Sequence, residues 1–155
     1  MSARSRGAAT PRLRLALQNA ARSRTVPSAA RFRRWARAAL QRDADITVRV
    51  VGEAEGRRLN REYRGKDCAT NVLTFVYAEA EPLAGDIVLC APVVRRESRQ
   101  NSIAAEAHYA HLTVHGVLHL QGYDHVRGRD AKVMESLESE LLGDLGYADP
   151  YADKS

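Results

Sequence analysis

The chain has 155 residues, about one domain's worth, with 45% hydrophobic and 28% charged residues; that is enough apolar material for a core without a disulfide scaffold. No run of 18 apolar residues occurs, which excludes a membrane-spanning helix, and the opening residues do not read as a secretory signal. Cys68 and Cys90 are the two cysteines, 22 positions apart and in no CxxC pair, so a cysteine-built zinc finger is excluded and a reducing compartment, the cytoplasm, is expected.

The net charge of +5 conceals a strong asymmetry. Residues 1–42 carry eleven arginines and no acid, and the rest of the chain carries thirteen basic and nineteen acidic residues. Such a basic segment suits an anionic partner such as nucleic acid. GC-rich coding is the competing explanation, because arginine outnumbers lysine by 21 to 3. Charge alone leaves both open.

Residues 1–10 are small, basic and without periodicity, and read as a flexible tail. Their composition also resembles an organelle transit segment, which keeps an organellar location as the alternative. Residues 11–18 alternate Leu13, Leu15 and Leu17 with Arg12, Arg14 and Ala16, the period of a half-buried strand. Pro27 and Ser28 open a helix to about residue 40 with Phe32, Trp35, Ala36, Ala39 and Leu40 on one face. The β-branched stretch 46–51 reads as a second strand, 53–63 as a short helix, 72–77 as a third strand, and 86–90 as a fourth after a turn at Gly85. From Pro92 two helical pieces follow, the second over about 103–120 and ending at Gly122. A last amphipathic helix over 129–145 turns Val133, Met134, Leu137, Leu141 and Leu142 inward. These elements predict one α+β domain over 11–151, with a small mixed sheet of about four strands, about five helices, and a short tail at 152–155.

All five histidines fall between positions 108 and 125. His115 and His119, four apart on the predicted central helix, project from one face. Gly122 permits a left-handed exit, after which His125 can return to the same point. Three imidazoles leave one tetrahedral position open, the pattern of a catalytic zinc site with one ion per chain. Zinc so held lowers the pKa of a bound water to about 7. The spacing H-x3-H-x2-G-x2-H matches the metzincin protease frame, except that Gly116 stands where that frame carries its glutamate base. His111, one turn before His115, is a candidate for a group behind the ligands or a substrate contact, and Asp124 a candidate for orienting a ligand or simply a turn residue. His108 is expected to face solvent.

With these residues in view, the chain resembles the YbeY endoribonuclease family of rRNA maturation factors. The resemblance is carried by LNREYRGKD at 59–67, TNVLTF at 70–75, GDIVLC at 85–90, HLTVHGVLHLQGYDH at 111–125 and GYADPY at 146–151. It implies a zinc-dependent, single-strand-specific endoribonuclease that matures the 3′ end of small-subunit (16S) rRNA and takes part in ribosome quality control. His115, His119 and His125 match the family's zinc ligands, and Arg64 matches the arginine the family needs for activity. The implied partners are single-stranded RNA and the ribosomal small subunit or its proteins, with no membrane or DNA. Ala69, Asn71, Thr74 and Val76 depart from the family's usual residues around the loop before the third strand and in that strand.

Arg64 also has a case of its own, since a guanidinium in a helix-to-strand turn can clamp a phosphate at two points and neutralise charge in the transition state. The nucleophile is then a zinc-activated water or a ribose 2′-hydroxyl. Arg57, Arg58 and Arg61 read as a solvated helix face. Two alternatives stand beside the nuclease: a zinc peptidase lacking the usual glutamate, and a non-catalytic RNA-binding assembly factor with a structural metal.

Overall fold

The computed structural model of the protein describes residues 10–123 and 128–152. Most of the two expected tails lies outside the described residues. Four strands, β1 (Leu13–Asn19), β2 (Ala44–Val51), β3 (Val72–Ala78) and β4 (Leu83–Cys90), make one sheet in the order β1-β2-β4-β3. The pairs β1/β2 and β2/β4 are parallel, and β3 runs antiparallel to β4 at the edge. Parallel neighbours require a crossover. Helix α1 (Ala29–Ala39) provides one between β1 and β2, and α2 (Glu53–Arg64) leads from β2 towards the edge strand. Helices α3 (Ala91–Gln100), α4 (Ala105–Leu120) and α5 (Gly128–Leu145) follow β4. The expected α+β class, with four strands and five helices, is what the described residues adopt.

The strand period sorts side chains onto two faces. Ile46, Val48 and Val50 of β2, with Leu83, Ile87 and Leu89 of β4, join Phe32, Trp35, Val114, Val117, Leu118, Met134 and Leu142 from α1, α4 and α5 in the main core. On the opposite face Val51, Leu73, Val88, Cys90 and Val93 form a smaller cluster, against which Leu59 and Phe75 pack. Each fully buried side chain of this kind contributes about 1.5–3 kcal/mol. The α1 periodicity is realised as read: Ser28 caps the helix, its hydroxyl accepting from the Arg31 N–H at 3.3 Å, and Phe32, Trp35, Ala36, Ala39 and Leu40 are all buried.

Two expectations need correction. Gly85 is not a turn residue but lies inside β4, which begins at Leu83. A Cβ there would stand 2.7 Å from the Phe75 carbonyl oxygen and 2.8 Å from Leu120, so the glycine marks the close approach of α4 to the sheet. Val133, expected inward, is 53% exposed. The buried stripe of α5 is Met134, Glu138 and Leu142. The helix is turned so that a carboxylate, and not a valine, meets α4.

Candidate active site

Helix α4 is enclosed on nearly every side. From position 108 to 120 the residues that are not fully buried are His111, His115 and His119, one per turn. Sequence spacing thus becomes a single open stripe on an otherwise core helix. Gly116 faces the sheet: a Cβ there would meet three atoms of Ile87 at 3.0 to 3.2 Å. A side chain at that position would point into the core and away from the stripe.

Each of the two central imidazoles is held by its Nδ1. His115 Nδ1 lies 2.5 Å from Glu138 Oε2 and donates to it, and His119 Nδ1 lies 2.9 Å from Thr74 Oγ1 on β3. The Glu138 side chain is wholly buried. Its other oxygen accepts from His111 Nε2 at 2.9 Å and from the Tyr151 hydroxyl. Burial on its own would push this carboxyl up, but the hydrogen bonds from His111, His115 and Tyr151 outweigh it and hold the pKa at about 2. The carboxylate therefore stays charged and accepts the His115 Nδ1 proton, the arrangement in which a neutral imidazole presents its lone pair at Nε2. Thr74 can do the same for His119, since its hydroxyl oxygen accepts as well as donates. The two rings lie nearly parallel, 15° apart with centroids separated by 6.4 Å.

Two imidazoles with engaged Nδ1 atoms, one helical turn apart, fit the donor set of a zinc ion when each is neutral with its lone pair on Nε2. His125, the third expected ligand, and Asp124 lie outside the described residues. Among the described residues no group of three His, Cys, Asp or Glu side chains is arranged to hold a metal. Gly122 has φ +104°, so the left-handed exit from the helix is present.

The second wall of the site comes from α2 and the loop after it. Gly65, at φ +71°, ends the helix in the left-handed conformation directly after Arg64. Asp67 then accepts from Arg57 at 2.8 Å through both carboxylate oxygens and lies 3.5 Å from Arg61. The Arg57 guanidinium holds this carboxyl below its ordinary range. Buried Asn60 donates to the Cys68 carbonyl at 2.7 Å, and Asn71 donates to Glu97 at 2.9 Å. Arg57 and Arg61 are thus not a merely solvated face, because they fasten the loop that follows Arg64. Arg64 itself makes no ion pair or side-chain hydrogen bond among the described residues.

The two walls meet in a cleft of about 610 Å³ lined by Tyr63, Arg64, residues 70–75, His115 and His119. The cleft runs along the edge strand β3, whose Thr74 reaches the α4 wall and whose Phe75 packs towards α2. The structure therefore brings Arg64 and two of the three expected ligands to one cavity. His111 turns instead to Glu138 and to Tyr151, its ring 5.4 Å from the tyrosine ring. His108 is buried and not solvent-facing, with Nε2 2.7 Å from Glu97 of α3, which supplies the acceptor that makes its burial tolerable.

Glu138, Thr74 and Tyr151 escaped the sequence reading as supports of the site. For Glu138 a signal existed: Met134, Glu138 and Leu142 share one helical stripe, and an acid on an apolar stripe needs a buried donor. Nothing local marked Tyr151.

Comparison with known proteins places the chain in a family. Residues 17–146 match the model of a family described as "Endoribonuclease YbeY". A protein of that name from Aromatoleum aromaticum is 60% identical over 151 residues, covering 97% of this chain and 96% of that one. Another from Methylobacillus flagellatus is 55% identical over 144 residues, covering 93% of this chain and 97% of that one. Among solved structures, a Thermotoga maritima protein determined in solution shares the fold with a TM-score of 0.54 at 23% identity, over 91% of this chain and 99% of that one. Among the described residues no helix is long and apolar enough to cross a membrane.

Proposed function

This chain belongs to the YbeY endoribonuclease family, and from that premise we propose that it is a zinc-dependent endoribonuclease that cuts single-stranded RNA and matures the 3′ end of small-subunit rRNA. A cytoplasmic place of action, contact with the ribosomal small subunit and a part in ribosome quality control belong to the same proposal. The observation that supports it most is the paired wall of His115 and His119, each fixed through Nδ1, facing one cleft with Arg64, which has no ion pair among the described residues.

His115 and His119, joined by His125, would hold one zinc ion. Such an ion supplies Lewis-acid character and an activated water at neutral pH. The remaining work falls to the chain itself. Glu138 keeps His115 in the tautomer and orientation that present Nε2, and Thr74 does the same for His119. Arg64 grips a phosphoryl oxygen pair and offsets the negative charge that grows there as the bond breaks. The cleft lies along the edge strand β3, where a flexible single strand would be received.

The peptidase alternative fares worse. It requires a base beside the metal, and position 116 is aimed at Ile87. The experiment that separates the readings is cleavage of a single-stranded RNA oligomer, with a duplex and casein as controls, before and after chelation and with zinc restored. We expect zinc-restorable RNA cleavage, lost in His119→Ala, and no hydrolysis of casein. RNA retention without cleavage at any enzyme concentration would favour the non-catalytic assembly factor, and casein hydrolysis would favour the peptidase.

A further inference from the structure

Most of the aromatic side chains of this protein have an evident structural duty. Phe32, Trp35 and Tyr109 are buried in the core. The exposed Tyr77 donates to Asp86 at 2.6 Å, and Tyr151 donates to Glu138. Tyr63 differs. It is 64% exposed, and among the described residues its hydroxyl makes no hydrogen bond. Yet its ring is not loose on the surface, since it meets Phe75 edge-on, with centroids 5.0 Å apart and planes at 69°. Both rings line the same cleft as Arg64, His115 and His119.

We infer that Tyr63, braced by Phe75, is a stacking platform for one base of a single-stranded RNA whose neighbouring phosphate is held by Arg64. The inference rests on the RNA-cleaving reading above and adds to it a subsite for a nucleobase. Three features argue for it. A ring held by a second ring loses little further freedom when a base settles on it, so stacking costs little entropy. The adjacent residue is a cation with no partner among the described residues, and a stacked nucleotide brings a phosphate with it. The platform also gives a physical reason for preferring single strands: in a duplex the bases are stacked on one another and their faces are closed to a protein ring.

Steady-state cleavage of a single-stranded RNA oligomer by the zinc-loaded enzyme tests this, comparing wild type, Tyr63→Phe and Tyr63→Ala. A series of substrates carrying one abasic nucleotide at successive positions around the cleavage site completes the design. We expect Tyr63→Ala to raise KM about tenfold, within the range a stacked base is worth, while kcat stays within about twofold and Tyr63→Phe matches wild type. One abasic position should impose a similar penalty on wild type and none on Tyr63→Ala. A wild-type KM for Tyr63→Ala, or an equal response of both enzymes to every abasic position, overturns the stacking subsite and leaves the nuclease reading intact. Failure of the wild type to cut any RNA overturns both. Zinc content and circular dichroism of Tyr63→Ala serve as the folding control, and the exposure of the residue predicts no change in either.

Discussion

The two walls of the cleft are built on opposite principles. On the α4 wall little is left to move: the helix is packed on every side but its histidine stripe, and one buried carboxylate takes bonds from two of its histidines and from Tyr151. On the α2 wall the functional groups stand in the open, and only the loop behind them is fixed, by the exposed pair of Arg57 and Asp67 and by buried Asn60. Under the proposed function, the difference shows which demand each wall would meet. An ion tolerates little error in ligand direction, so its ligands must be oriented by a dry, charged support. A long polyanion must enter, slide and leave, so its contacts are exposed, cationic and aromatic.

If the walls are separate in function, changes to one should spare the other. The largest effect is expected on the open wall: Arg64→Ala should lower kcat by about 10²- to 10³-fold, as the loss of a transition-state charge donor does, with zinc content unchanged by metal analysis. A fall in bound zinc would show that the walls are coupled after all. On the closed wall, Glu138→Ala should weaken zinc binding by about 10- to 100-fold in competition with a chromophoric chelator. Its RNA affinity under chelation should stay near wild type.

Glu138 also predicts an acid limb in stability. Its folded-state pKa of about 2 lies below the ordinary value of 4.5. The depressed group therefore stabilises the fold above about pH 4.5, and the contribution disappears as pH falls towards 2. Linkage makes this about 3 kcal/mol, readable as a drop in denaturant midpoint across that window. In Glu138→Gln the segment of the curve should flatten. The smallest effect belongs to the loop anchor, where Asp67→Asn should lower kcat/KM by about twofold because an exposed pair contributes little.

The sequence made the α4 wall visible because its chemistry is periodic. His115 and His119 at four-residue spacing, followed by a glycine that must turn left-handed, point to one face and one exit whatever surrounds them. Arg64 was found through the family motif; that it has no partner among the described residues was not foreseeable, since it depends on Asp67 engaging Arg57 and Arg61 instead. Glu138 was hidden because its partners lie 23 and 27 positions away, and no local pattern specifies which helix an acid on an apolar stripe will meet. His108 misled for a related reason: an imidazole reads as surface unless the carboxylate that receives it, here Glu97, is known to lie opposite. Strand and helix order were legible from period alone, whereas Gly85 looked like a turn because close helix-to-sheet approach leaves no mark beyond the glycine.

Anomalous diffraction at the zinc edge from crystals of the purified protein bears on this account most directly. One peak is predicted within bonding distance of Nε2 of both His115 and His119, with His125 as the third protein ligand and a fourth position open to the cleft beside Arg64. A peak elsewhere, or a fourth protein side chain closing that position, would contradict it.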